Sequence, residues 1–386
     1  MSVLLACSAL ALFAWVAVLL APHQAHRLRE RLDADPTASE DLSAVTVLIP
    51  ARDEAETIGA TLAALTAQGR DLDVIVVDDQ STDATAKVAQ AAAAMAARRW
   101  QLRVLAGQPL PSGWAGKLWA LEQGLAAVDR PFVLLLDADI ELAPRMLPTL
   151  LRAAEQRNAS LVSIMAELHC GTFWERLLTP AFIFFFKLLY PFAWSNDAKR
   201  RTAAAAGGCM LIRPAVLRDM GGFAAIRGAL IDDCTLAAAL KRQRPPIWLG
   251  VSRSVRSLRV YAALGDFWSM VSRSAFTQLR YSTALLLVTT ALLLIVLLSP
   301  VVAVAVAPFV GVAALAGIGG LAWLAMSAAY WPVVRFYRLP AVWALTLPVA
   351  AALFLAMTWN SAWRYWRGTR ATWKNRDYDQ ALEQRR

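Results

Sequence analysis

Residues 73–83 read DVIVVDDQSTD: a β-branched run over Asp73–Val77, then Asp78, Asp79 and a polar turn ahead of a helical stretch at Ala84–Ala97. A buried strand hands over to a helix in this way, and the same unit recurs on either side. Upstream, Val45–Ile49 leads into a helical stretch at Glu54–Gln68. Downstream come Leu102–Leu105, a helical stretch at Lys117–Val128 and the run Phe132–Leu136. The strands read as near-continuous apolar runs, as expected when helices cover both faces of a sheet. The alternation predicts an α/β fold with a parallel sheet. Ligands of such sheets bind at the carboxyl ends of the strands, so the chemistry is expected there.

Those strand ends are polar. The first gives Pro50-Ala51-Arg52-Asp53-Glu54, the second Asp78-Asp79-Gln80-Ser81-Thr82-Asp83, and the fourth Asp137-Ala138-Asp139. Acids here commonly cap helices, which accounts for Asp83 before Ala84 and also suits Asp53. Capping does not account for Asp137 and Asp139, because the next helix is expected to start later, near Pro144. Two carboxylates one residue apart repel. A divalent cation bridging to a phosphate relieves that repulsion, and Mg²⁺ favours one or two carboxylates plus substrate phosphates. The third strand leads into Gly113-Trp114-Ala115-Gly116-Lys117, which lacks P-loop spacing. It reads either as a flexible loop with a solvated lysine or as backbone approaching a diphosphate with Lys117 adding charge.

Further along, Phe173–Trp194 is very apolar and is broken by Pro180 and Pro191. It is expected to dip into a bilayer as an interfacial element rather than only to fill a core. Ala203–Ile212 permits close backbone approach at Gly207 and Gly208. Asp232 and Asp233 open a helix running to about Arg242; they cap it, or one caps while the other serves as a general base. Arg280 and Tyr281 precede a long apolar block. Arg280 there either snorkels or neutralises a phosphate leaving group.

Composition excludes an ordinary soluble enzyme: 58% of residues are hydrophobic and 18% charged, against about 45–50% and about 25% in soluble domains. Ser2–Pro22 and the 53 residues Ser282–Val334 carry no charge, and Pro340–Trp359 is a third apolar stretch. At roughly 20 residues per crossing, the first is one span. The second is about two, with Pro300 and Pro308 expected to mark the break, and the third is a further candidate. No basic residue precedes the first run, so it reads as a retained anchor rather than a signal peptide. His23, His26, Arg27, Arg29 and Arg31 follow it, which by the positive-inside rule puts residues 23–281 in the cytosol at the inner (cytoplasmic) membrane. The expected domains are an anchor (1–22), a linker (23–42), a cytosolic domain (43–281, with an apolar insert at 172–195), a membrane region (282–359) and a basic aromatic tail (360–386). Three crossings after residue 281 would leave that tail outside, against the rule. Either the last segment re-enters the interface or the long block is not a simple hairpin. The net charge of +10 flanks the spans, which favours a topology signal over a nucleic-acid patch. Four scattered cysteines and three histidines make a zinc site or redox motif improbable.

In this order, V-x-V-L-I-P-A-R-D-E, V-V-D-D-Q-S-T-D, G-W-x-G-K, D-A-D, G-G-C-M-L-I-R, I-D-D-C and a degenerate R-Y box resemble family 2 glycosyltransferases of the GT-A fold, over about residues 43–281. The GWAGKLWA segment, the apolar insert, the LIDDC run and SAFTQLRYS more narrowly resemble the hopene-associated glycosyltransferases of hopanoid gene clusters. The resemblance implies a GT-A nucleotide-diphospho-sugar transferase (Rossmann-like) domain flanked by transmembrane helices. It implies a nucleotide pocket at Pro50, Arg52 and Glu54, with Asp78 or Asp79 near a uracil and ribose, as for a UDP-sugar donor. It places Lys117 near the diphosphate, Asp137 on the ribose side, Asp139 at Mg²⁺ or Mn²⁺, Asp233 as the base and Arg280 at the leaving group. The implied reaction is an inverting, metal-dependent transfer to a lipid hydroxyl, a hopanoid on the narrower likeness, with no nucleic-acid partner. Asp232 stands where the family has Glu, and Thr277–Tyr281 departs from Q-x-x-R-W, which weakens a polymerase reading. The rival expectations are a processive polysaccharide synthase, a polyprenyl-phosphate glycosyltransferase and a non-catalytic membrane partner.

Overall fold

The computed structural model describes residues 2–96, 100–242, 245–368, 372–373 and 376–377. In chain order the strands of the main sheet are β1 (Val45–Ala51), β2 (Leu72–Asp78), β3 (Trp100–Ala106), β4 (Phe132–Leu136), β5 (Ile140–Leu142), β6 (Leu161–Glu167), β7 (Cys209–Ile212) and β8 (Ile247–Ser257). The helices are α1 (Ser2–Leu20), α2 (Ile58–Leu65), α3 (Thr85–Ala96), α4 (Gly116–Leu125), α5 (Met146–Gln156), α6 (Phe173–Leu189), α7 (Phe192–Asn196), α8 (Pro214–Asp219), α9 (Asp232–Arg242), α10 (Leu264–Ser272), α11 (Ala275–Gln278), α12 (Thr283–Leu293), α13 (Ser299–Val310), α14 (Ala313–Phe336) and α15 (Leu347–Trp366). They group into two compact units: residues 30–169 with 194–260, and residues 1–29 with 170–193 and 261–369.

The first unit is built on one sheet ordered β3-β2-β1-β4-β7-β6-β8-β5. Its first four strands are the predicted ones and pair in parallel. The expectation of a parallel sheet fails beyond β4: β7 runs antiparallel to β4 and β6, and β5 antiparallel to β8. The sheet is therefore mixed. All seven residues of β1 are buried, and hydrophobic clusters fill both faces. Pro50 sits inside β1 at no cost to the ladder, because pairing with β4 stops at Leu48. Helix α4 lies close on β1: a methyl at Gly124 would fall 2.2 Å from Leu48 Cδ1. Part of the stretch expected as a linker (23–42) bonds to β8. Leu32 N–H donates to Val251 O, and Asp33 Oδ1 accepts from Ser252 and Arg253. Asp83 serves α3 as predicted, accepting from Thr85 N–H at 2.9 Å.

In the second unit, four helices among the described residues are long and apolar enough to cross a membrane: Ser2–Leu20, Thr283–Val310, Ala313–Phe336 and Ala341–Trp366. Pro300 and Pro308 do not interrupt the long block; its break is Gly311, left-handed at φ 67°. A proline removes a helical hydrogen bond and its ring crowds the carbonyl four residues back. For Pro300 that carbonyl belongs to Val296, inside a π-helical turn at Leu294–Leu298. Trp15 Nε1 donates to Val296 O at 2.9 Å, replacing the missing partner. The predicted breaker Pro180 likewise lies within α6, and only Pro191 ends the segment. Helix α6 starts with a capping box between Thr172 and Glu175, and the buried Glu175 also accepts from Tyr261 N–H. Helix α15 runs to Trp366, into the stretch read as a tail. Arg370, Lys374, Arg385 and Arg386 of that tail lie outside the described residues.

Candidate active site

The carboxyl end of β4 turns sharply. Asp137 N–H donates to Gly208 O at 3.0 Å, Ile140 N–H donates to Asp137 O at 3.1 Å, and Leu258 N–H donates to Asp139 O at 2.7 Å. The D-x-D turn is thus clamped by the start of β7 on one side and the end of β8 on the other. This sends the two carboxylates to different cations. Lys117 Nζ lies 2.7 Å from Asp137 Oδ1, and Arg259 Nε lies 2.8 Å from Asp139 Oδ2. The second arm of Arg259 reaches Glu54 Oε1 at 2.9 Å.

Lys117 stands in the first turn of α4 and links the D-x-D to α9, with Asp232 Oδ2 at 3.5 Å. Asp233, its neighbour in the first turn of α9, accepts from Gly207 N–H at 2.9 Å and from Cys234 N–H at 2.7 Å. A methyl on Gly207 would lie 3.4 Å from both Asp233 Oδ2 and Lys117 Nζ, an ordinary contact distance, so the Gly207 backbone lies directly beside both groups. Five groups drawn from four segments of chain therefore form one cluster: Lys117, Asp137, Gly207, Asp232 and Asp233.

Its electrostatics follow from crowding. Burial pushes the Asp137 carboxyl up to about 6, against the pull of Lys117 and with the push of Asp139. Burial and the adjacent Asp232 push Asp233 up to about 6, opposed by its Cys234 N–H bond and by Lys117. Burial alone would lower Lys117, but Asp137 and Asp232 hold its ammonium well above the usual range, so it stays charged. Burial pushes the Cys209 and Cys234 thiols upward, which keeps both inert.

The other predicted residues take less direct places. Arg52 donates to the carbonyls of Asp79 and Gln80, fixing the loop after β2. Asp78 Oδ1 accepts from Ser81 N–H in that loop, and Asp79 is fully buried. Arg280 belongs to the other unit, in the left-handed turn between α11 and α12. In the same unit Thr277 Oγ1 bonds Tyr281 OH at 3.0 Å, and Tyr281 stacks on Tyr365 at 4.5 Å. The residue that sequence reading missed is Arg259. It follows a strand, β8, that carried no recognised motif, and it stands 120 residues after its partner Asp139.

Among the described residues no group of three or more His, Cys, Asp or Glu side chains is placed to hold a metal ion by itself. Two hard carboxylates, Asp137 and Asp139, nevertheless fit a cation whose remaining ligands are phosphate oxygens and water.

Residues 46–221 match the family model described as glycosyl transferase family 2. No curated protein matches the sequence significantly. Among solved structures, the mannosyltransferase PcManGT from Pyrobaculum calidifontis, in complex with GDP-Man and Mn²⁺, is 18% identical with a TM-score of 0.53, over 93% of this chain and 99% of that one. Glucosyl-3-phosphoglycerate synthase from Mycobacterium tuberculosis, in complex with Mn²⁺ and UDP-glucose, is 19% identical with a TM-score of 0.41, over 64% of this chain and 86% of that one. The first of these likenesses establishes a shared fold. Residues 46–221 thus match a glycosyl transferase family 2 model and carry a GT-A fold, in a chain with helices long and apolar enough to span a membrane near both ends.

Proposed function

We propose that this protein is an inverting glycosyltransferase that moves a sugar from a nucleoside-diphosphate donor to a hydroxyl of a membrane lipid. The observation that carries the reading is the cluster at the end of β4, where Lys117 gathers Asp137 and Asp232 beside a raised Asp233. A carboxylate with a pKa near 6 is matched to general-base work close to neutral pH. In this reading Asp233 takes the proton of the acceptor hydroxyl as its oxygen attacks the anomeric carbon. Attack from the face opposite the diphosphate inverts that carbon. Lys117 and Arg259 offset the charge that develops on the leaving group. Asp137 and Asp139 would hold Mg²⁺ or Mn²⁺, which supplies Lewis-acid neutralisation of the diphosphate. Glu54 orients Arg259, and Arg52 shapes the nucleotide pocket with Pro50, Asp78 and Asp79.

The lipid acceptor rests on the membrane-length helices and on the apolar α6, whose exposed Phe173 and Leu189 suit an interface. A hopanoid is the acceptor that the narrower sequence likeness favours. The basic residues after α1 favour a catalytic domain facing the cytosol at the inner membrane. The test is transfer by purified protein in detergent, with a panel of nucleotide sugars, membrane lipid extract and Mg²⁺ or Mn²⁺. A glycolipid product of inverted configuration that disappears in Asp139→Ala and Asp233→Asn is expected. A polymer product, or equal donor turnover by wild type and both variants, would sink the proposal.

A further inference from the structure

Helix Ala341–Trp366 is as long and apolar as a membrane span, yet its neighbours place both of its approaches at one end of the helical unit. Thr283–Val310 and Ala313–Phe336 are joined at Gly311–Val312 and run antiparallel. A methyl on Gly319 would lie 2.8 Å from Pro300 O and 2.9 Å from Ala303 Cβ. Phe336 is seventeen residues beyond Gly319, and Thr283 is seventeen residues before Pro300. At about 1.5 Å per residue, α14 therefore ends level with the start of α12. A segment that crossed the membrane next would have to finish at the opposite end, beside Gly311.

It does not. The far end of α15 lies against the start of α12: Tyr365 stacks on Tyr281 at 4.5 Å, Trp366 meets Phe276 at 5.7 Å, and Phe276 N–H donates to Ser361 Oγ at 3.1 Å. One register further in, Trp359 Nε1 donates to Thr290 Oγ1 at 3.0 Å. Thr290 is seven residues from Thr283, and Trp359 is seven from Trp366, so α15 runs antiparallel to α12 and exits where α12 enters. The intervening chain accounts for the return. After α14 the backbone reverses at Arg338, φ 57°, and Pro340. A 3₁₀ turn, Ala341–Thr346, then descends until Leu345 O accepts from Trp323 Nε1 at 3.1 Å. Trp323 is thirteen residues before Phe336, about 20 Å below that face. From there α15 climbs back.

We infer that residues 337–366 form a re-entrant hairpin, which enters and leaves the bilayer by the same face. The chain then crosses three times, through α1, Thr283–Val310 and α14. The segment after α1, the turn at Arg338 and the chain leaving α15 at Arg367 all share one side. Charge agrees independently. Ser2–Pro22 and Ser282–Val334 contain no charged residue, so among the described residues the Gly311 end carries no charged side chain, while Arg27, Arg29, Arg335, Arg338, Arg364 and Arg367 lie at the other. That is the asymmetry the positive-inside rule describes, and four crossings would break it.

The test places one epitope after Arg386 and, in a second full-length protein, one between His23 and Gln24. A third protein carries it at Gly311. Each is probed with impermeant protease and antibody on sealed vesicles before and after permeabilisation. The hairpin requires the first two epitopes to report the same side and the third the opposite side. If the epitope after Arg386 reports the side opposite to that at His23, or distributes between both sides, the inference is overturned. That comparison stands even where the Gly311 insertion fails to fold.

Discussion

Replacing Lys117 with Met removes the cation that Asp137 and Asp232 share, at 2.7 and 3.5 Å, and the cost is set by what Asp137 does next. The bare attraction of such a pair is of the order of 4 kcal/mol at an effective dielectric near 20, but a stranded carboxylate escapes it by taking up a proton. Asp137 already titrates at about 6 in the folded protein. Protonating it therefore costs about 1.4 kcal/mol for each pH unit above 6, or about 2 kcal/mol at pH 7.5. A third of its side chain, 33%, is open to water, and screening reduces this to about 1 kcal/mol. The sign follows from the raised folded value. Above pH 6 the variant must protonate Asp137 or leave it unpaired, whereas below pH 6 Asp137 is protonated in wild type as well and that part of the deficit vanishes. Thermal unfolding of the detergent-solubilised protein should show a midpoint gap between Lys117→Met and wild type that narrows by about 2–4 °C from pH 7.5 to pH 5.5. Adding Asp137→Asn should reduce the pH dependence of the gap, leaving the part that Lys117 exerts through Asp232 and Asp233. A gap that stays constant, or widens on acidification, would refute the electrostatic account.

Asp233→Asn should lower transfer by about 10²–10⁴-fold, and wild-type kcat/KM should fall as pH drops below about 6, because the base must be unprotonated; a flat profile there contradicts the assignment. Arg259→Ala should weaken nucleoside-diphosphate binding by roughly 10–150-fold, as expected for a lost charge-assisted contact of about 1.5–3 kcal/mol; unchanged affinity by calorimetry would remove Arg259 from the donor site. Gly124→Ala should overpack Leu48 and Val77 behind α4 and cost about 1–3 kcal/mol, and because α4 carries Lys117, donor turnover should fall alongside the unfolding midpoint. Chelation of divalent ions should abolish transfer, with Mg²⁺ or Mn²⁺ restoring it in wild type but not in Asp139→Ala.

Much was legible in local pattern. Strands β1 to β4 announced themselves because strands covered on both faces are continuous apolar runs, and the polar residues that end them had no core to join. The D-x-D, the lysine after the glycine loop and the paired aspartates of α9 stood out for the same reason. Likewise, the absence of charge over Ser282–Val334 marked membrane-length helices without any knowledge of their packing. Pairing partners were not legible, since a contact between distant residues leaves no trace in the spacing of either. Arg259 is anonymous in sequence and becomes part of the site only when β8 ends beside the D-x-D turn. The antiparallel entry of β7 is decided by its register with β4 and β6. Pro300 reads as a helix breaker until Trp15, nearly three hundred residues earlier, satisfies the carbonyl that the proline leaves open. The sense of α15 follows the same logic: its length and hydropathy allow a crossing, and only its contacts with α12 and Trp323 turn it back. Local chemistry thus determined the first four strands, the membrane-length apolar helices and the acidic and lysine groups at the strand ends. Tertiary packing decided which of them meet.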